Sequence, residues 1–191
     1  YTFLLVDWLS GQPVKNAEAT SGEDVAQSDE EGRIILTVGE LSSETTADIS
    51  AEGYRKETFN LDELNQGETI IKMVVAKKHT FVSNRSGEYD LYKIDVDGTN
   101  EEVLLPASSK EREVPFVLSH PTKDVVAYIS SRDGDVNSGN FVLDGLFIID
   151  AINGETYKVT RSEQIQLIGW SDNKLIYVAV IEGVSAGNSQ R

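Results

Sequence analysis

The sequence predicts an all-β protein of two modules. A small β-sandwich covers about residues 1–77, and part of a β-propeller, about two blades, covers about 78–191. Three observations lead there. Phe81-Val-Ser-Asn-Arg-Ser-Gly87 returns 47 residues later as Tyr128-Ile-Ser-Ser-Arg-Asp-Gly134. Leu91-Tyr-Lys-Ile-Asp-Val-Asp-Gly98 returns, after an insertion, as Leu146-Phe-Ile-Ile-Asp-Ala-Ile-Asn-Gly154. A strand-rich repeat of roughly 40–50 residues is the pattern of propeller blades. Short apolar runs alternate with turn clusters throughout, and no stretch holds a 3.6-residue apolar period over three turns.

The first module begins with an apolar-rich run, Phe3 to Leu9, broken by Gly11-Gln-Pro13. Ser28-Asp-Glu-Glu-Gly32 reads as a turn, and Arg33 to Val38 as a strand bounded by Gly39. Thr45 to Ala51 and Thr69 to Ala76 are further strands, and Leu61 to Leu64 makes one short helical turn. Short strands at this spacing predict a small sandwich.

Five pieces of this segment occur in a telling order: Val6-Asp7, Gly11-Gln-Pro-Val14, Ala17, Ser28-Asp-Glu-Glu-Gly-Arg-Ile34 and Ile49-Ser-Ala-Glu-Gly-Tyr54. On these residues the segment resembles the carboxypeptidase regulatory-like family, an Ig/transthyretin-like sandwich of seven strands. Its end is also similar to the PEGA family of small β modules. Pro13 presets a turn, and Gly32 supplies a positive-φ position. Gly53-Tyr54 is expected to turn the chain and seat an aromatic on the sandwich. Pilin domains of related architecture carry a Lys–Asn crosslink from the first strand. That strand here has Asp7 and no Lys, so no crosslink is predicted.

In the second module one blade is expected to run through Thr80–Asn84, Tyr89–Asp95, Glu102–Leu105 and Phe116–Leu118. The next runs through Val125–Ser130, Leu146–Asp150, Thr156–Thr160 and Gln166–Trp170, and Leu175–Ile181 opens a third. Asp97-Gly98 and Asn153-Gly154 predict type I′ hairpins. With this pattern the module resembles TolB-like or WD40-like propeller repeats. The family's Ser-Pro-Asp-Gly is degenerate here, as Ser119-His-Pro-Thr-Lys123 and Ser171-Asp-Asn-Lys174. A little over two blades leaves open edges. The expectation is a native chain that continues past Arg191, or copies that self-associate through those edges.

Hydrophobic residues make up 39% and charged residues 26% of the 191, enough for a packed core. Lys plus Arg is 17 and Asp plus Glu is 32, so the net charge is −15. Such a surface repels phosphate backbones and anionic membranes, which argues against nucleic acid as a partner. No apolar run approaches the ~20 residues that span a bilayer, so no membrane insertion is predicted. The absence of cysteine excludes disulfides and thiolate chemistry. The start at Tyr1-Thr-Phe-Leu-Leu-Val6 reads as a strand beginning abruptly, as in a mature form or a fragment.

Candidate chemistry is sparse. Gly183-Val-Ser-Ala-Gly187 matches the nucleophile elbow G-x-S-x-G. That motif needs a following helix and a later acid and His, whereas His79 and His120 both precede the serine. It reads as a small-residue turn, and no catalytic residue is predicted. Asp133, Asp135, Asn137 and Asp144 fall at positions 1, 3, 5 and 12 of a calcium loop. Ser138 replaces the turn glycine and Asn140 the apolar anchor, so a long polar hairpin is the competing reading. Asp95 to Asn100 is explained by a hairpin turn. His79 and His120 have no partner at metal-ligand spacing and read as surface or turn residues. Arg85 and Arg132 hold equivalent repeat positions, each expected to pair with an acid of a neighbouring blade. Trp8 and Trp170 read as core aromatics, and Lys77-Lys78-His79 as the junction between modules.

The expected role is a non-catalytic structural or binding module with a protein or peptide partner and no cofactor beyond calcium. The two resemblances imply a secreted or cell-envelope bacterial protein. Two alternatives stand beside it: the non-catalytic front of a prolyl-oligopeptidase-like serine peptidase, and a calcium-stabilised adhesion module.

Overall fold

Phe3 and Leu5 are fully buried in the first strand, β1 (Thr2–Asp7), whereas Thr2, Leu4 and Val6 between them are partly exposed. That period of two decides the face each strand turns inward. The computed structural model describes residues 1–39, 42, 44–64, 67–111 and 113–180. These are all-β apart from one 3₁₀ turn, Leu61–Glu63, which falls where the sequence places a helical turn. They divide into two compact units, Tyr1–Lys77 with Asp95–Asp97, and Lys78–Ile94 with Gly98–Arg191.

The first unit holds β1, β2 (Glu18–Ser21), β3 (Asp24–Gln27), β4 (Arg33–Ile35), β5 (Thr46–Ser50), β6 (Glu57–Asn60) and β7 (Glu68–Met73). They form a three-stranded sheet, β4-β1-β7, and a four-stranded sheet, β3-β2-β5-β6. β1 and β7 pair in parallel, with Leu5 opposite Ile71. The side chains Phe3, Leu5, Ile34, Ile71 and Met73 of one sheet share a core with Ala19, Ala47 and Ile49 of the other. Small alanines beside large side chains let two faces interdigitate at native density. Two sheets around one such core make a sandwich.

Loops of this unit are tied by short polar side chains. The buried Ser28 hydroxyl accepts from the Ala17 N–H (2.9 Å) and donates to the Val14 carbonyl (2.9 Å). Asp7 Oδ1 accepts from the Leu9 N–H (3.1 Å), the Ser10 N–H (2.7 Å) and the Ser10 hydroxyl (2.8 Å). The Ser10 amide bond, above all, holds the Asp7 carboxyl below the usual carboxylate range. Tyr54 packs against the core and donates to Asp7 Oδ2 at 3.2 Å. This Asp7 turn also corrects the expectation for Trp8. It ends β1 one residue earlier and leaves Trp8 38% exposed.

The second unit holds β8 (Lys78–Ser83), β9 (Asp90–Asp95), β10 (Glu102–Leu105), β11 (Phe116–Ser119), β12 (Val125–Ser130), β13 (Asp144–Asp150), β14 (Thr156–Ser162), β15 (Ile165–Ser171) and β16 (Lys174–Ala179). Three sheets result: β10-β9-β8, the meander β11-β12-β13-β14, and the hairpin β15-β16. The two central strands of the meander, β12 and β13, are buried on both faces. Val126, Tyr128, Phe147 and Ile149 pack with Leu91 and Leu104 of the sheet before it. Ala127, Ile129 and Leu146 pack with Ile165, Leu167 and Trp170 of the sheet after it. Burial on both sides explains why β12 reads as a continuous apolar run rather than an alternation. Several small sheets in sequence order, none closed into a barrel, are compatible with a sandwich followed by a partial propeller-like arrangement.

Two details correct the expected strands. Phe116–Leu118 does not complete the first sheet. β11 pairs with β12, Val117 opposite Tyr128, so each strand group shifts by one. The two-residue type I′ turns are also absent. Gly98 (φ 83°) and Gly154 (φ 78°) are left-handed, but Asp97 and Asn153 before them are not. Asp150 Oδ1 instead accepts from the Ile152 (2.7 Å) and Asn153 (3.1 Å) N–H groups. That bond holds the turn in an ordinary right-handed conformation, with the glycine closing it.

Candidate functional site

The end of the meander where β12 finishes and β13 begins frames a cavity of about 570 Å³. Its walls come from Pro115 and Phe116 at the head of β11, Ile129 and Ser130 at the end of β12, and Val142 with Asp144 at the head of β13. Glu163, Ile165 and Leu167 close it from β15 and the turn before it. The register sets this convergence: Gly145 lies opposite Ser130, and Asp144 opposite Ser162. Ser130 is buried, and its hydroxyl donates to Glu111 Oε1 at 2.8 Å, where the Tyr128 hydroxyl also donates at 3.2 Å.

Three carboxylates line the cavity: Glu113, Asp144 and Glu163. Glu163 Oε1 accepts from the Asn137 side-chain amide. Asp144 is half-buried, and burial, then the nearby Glu113 charge, pushes its carboxyl up from the usual range. Desolvation penalises the charged form, and a like charge adds to it. Of these three residues the sequence singles out Asp144 alone, and for calcium. Its real signal is an acid at the head of a buried strand, flanked by the apolar Val142 and Leu143.

The four proposed calcium ligands do not gather on one point. Asp133 Oδ2 and Asp135 Oδ2 each lie 2.6 Å from Lys158 Nζ, and Arg161 approaches Asp135 at 3.6 Å. The Lys158 hydrogen bond, first, holds the Asp135 carboxyl down. Asn137 Oδ1 accepts from the Gly139 and Phe141 N–H groups, both at 2.9 Å, and closes its own loop. Asp144 lines the cavity. Among the described residues no group of three or more His, Cys, Asp or Glu side chains is placed to hold a metal ion. Lys158 is the residue that sequence reasoning missed: a cation two strands on, opposite Phe147, already supplies the charge.

His120 sits in the turn after β11 but is buried, not superficial. Its Nδ1 accepts from the Thr122 and Lys123 N–H groups at 3.1 Å, which leaves the proton on Nε2, donated to the Asp172 carbonyl at 2.8 Å. It borders a second cavity of about 330 Å³ with Trp170, Val159 and Tyr177. His79 is exposed. Arg85 stacks over Phe81 (5.3 Å) and Tyr92 (4.6 Å) and pairs with Glu101 of its own sheet's loop. Arg132 donates to the Pro106 carbonyl at 3.2 Å. Arg85 thus pairs within its own sheet and Arg132 reaches a backbone carbonyl just after β10, in place of the expected acids of a neighbouring blade. Gly183 to Gly187 lies outside the described residues.

No family model matches this chain, and no curated protein is significantly similar to it. Among the described residues no helix is long and apolar enough to cross a membrane.

Proposed function

We propose that this chain is a non-catalytic structural and binding module that engages a protein or peptide partner at the strand ends of its propeller-type repeats. The observation that carries the reading is the cavity at the head of β13. Its size falls within the roughly 300–1,000 Å³ range of ligand sites. Its walls mix apolar side chains with a few carboxylates, and neither histidine of the chain lines it. A binding reading needs no general base, whereas acyl transfer needs a nucleophile within reach of one. The resemblance to carboxypeptidase regulatory-like and TolB-like repeats supports a secreted or cell-envelope bacterial setting.

The test has two arms. A fluorophosphonate probe is expected to leave the chain unlabelled, and stoichiometric labelling of any serine overturns the non-catalytic reading. Short peptides titrated into the 15N-labelled chain are expected to shift amides of Ser130, Ser131 and Asp144. Shifts confined to other surfaces overturn the placement of the site.

A further inference from the structure

The cavity beside Asp144 combines an apolar stretch with polar and acidic side chains. Ile129, Ile165 and Leu167 supply the apolar stretch, serines and glutamines the polar part, and among the described residues the charged lining side chains are all acids. Several carboxylates elsewhere in this chain have a cation beside them: Lys56 on Asp48 at 2.6 Å, Lys158 on Asp133 and Asp135, Arg33 on Glu68 at 3.0 Å. Asp144 has none among the described residues. It is half-buried, and its side chain makes no hydrogen bond or ion pair among the described residues. A carboxylate taken out of water without a partner is a standing cost to the fold.

We propose that this cavity binds an organic cation on an aliphatic stem, the ammonium or guanidinium end of a lysine or arginine side chain carried by a peptide, with the stem along Ile129, Ile165 and Leu167 and the charge at Asp144. This rests on the binding-module reading above. An alkyl stem needs apolar walls while its charged head needs an anion, and the cavity offers both. Phe116, 55% exposed, adds an aromatic side chain to the lining, the residue type that attracts a cation. A hard metal ion fits poorly, because it asks for six to eight oxygens and has no use for apolar walls. An anionic or neutral polar ligand leaves Asp144 uncompensated. The net charge of −15 also draws basic partners by long-range attraction.

The experiment is calorimetric titration of the full 191-residue chain with blocked Gly-Lys-Gly and Gly-Arg-Gly peptides, the norleucine counterpart of the lysine peptide, and free n-butylamine. A basic peptide is expected to bind at least about tenfold more tightly than the norleucine peptide, as one charge-assisted contact supplies. Asp144→Asn is expected to remove that preference, and Glu113→Gln to weaken it. Both variants are checked for native Trp170 emission in a Trp8→Phe background, so a failure to fold is distinguished from a loss of binding. Peptide tighter than butylamine identifies a side chain as the source, and equal affinity identifies a small amine; either outcome supports the cationic site. Equal binding of lysine and norleucine peptides, or a preference that survives in Asp144→Asn, overturns the inference and leaves the binding-module reading standing. No binding of any probe at millimolar concentration overturns both.

Discussion

The imidazole of His120 lies 4.9 Å from the indole of Trp170, centroid to centroid, with the planes tilted by 58°. Trp170 Nε1 donates to the Leu118 carbonyl at 3.2 Å, two residues before the histidine. One turn of the meander and one strand of the following hairpin are therefore joined by an aromatic contact and by hydrogen bonds running in both directions. The Asp172 carbonyl that His120 reaches belongs to a left-handed residue, φ 50°, which His120 helps to hold.

His120→Ala removes three backbone bonds at once. We expect the second unit to lose about 1–3 kcal/mol, the range for unsatisfied buried groups. Trp170 emission in a Trp8→Phe background reads this unit's urea midpoint directly. A midpoint equal to that of the parent chain contradicts the bridging role.

Two glycines of the first unit separate backbone strain from crowding. Gly11 (φ 68°) has open space where a Cβ would stand, whereas at Gly32 (φ 78°) that atom would meet the Leu5 carbonyl at 2.5 Å. Gly11→Ala should cost about 1 kcal/mol, the left-handed penalty alone. Gly32→Ala should cost clearly more, because β1 itself must move. Urea titration followed by Trp8 emission compares the two, and equal costs refute the steric argument.

Lys158 closes the loop that carries Asp133 and Asp135. Lys158→Met is expected to cost about 0.5–1 kcal/mol, the scale of a part-exposed pair. The depressed Asp135 carboxyl gives the pH sign. Its contribution is complete above the unfolded value of about 4 and fades as pH falls through the lower folded value. Since the ammonium already fills the point between the two acids, calcium and EDTA should give the same melting temperature. A midpoint raised by calcium would show that the ion displaces Lys158.

Asp144 behaves in the opposite sense. Its raised carboxyl means that the folded chain holds this proton more readily than the unfolded chain does. The charge is therefore destabilising above the folded value, and the penalty is relieved as pH drops through it. Asp144→Asn should raise the neutral-pH midpoint slightly, by less than about 1 kcal/mol, and flatten its pH dependence just above the ordinary carboxylate range. A midpoint that falls instead indicates a hydrogen bond through the carboxylate.

Where strands exist was largely legible, because alternation and turn residues are local properties. β1, β5, β7 and β12 lie close to their expected bounds. The strands β2, β3 and β6 carried too little apolar pattern to stand out, as Glu18–Ser21 buries only Ala19 and Ser21. Which strand pairs with which was not legible for Phe116–Ser119. Its partner is chosen by tertiary packing, and both neighbours in sequence were open to it. The site was least legible. Asp144 drew attention through its spacing from Asp133, but its surroundings come from Phe116 and Ile165, 28 residues before it and 21 after it. The Lys158 contact to Asp133 and Asp135 likewise spans more than 20 residues that no local rule connects.

The placement of β11 has a consequence for anyone dividing this chain. The sequence period runs from the β8 equivalent to the next, yet the hydrogen-bonded meander begins one strand ahead of that period. Successive copies of the period are thus laid like overlapping roof shingles, each lending its final strand to the copy downstream. An excised segment starting at Val125 matches the repeat and forfeits its first strand; one starting in the loop before Phe116 keeps the sheet whole.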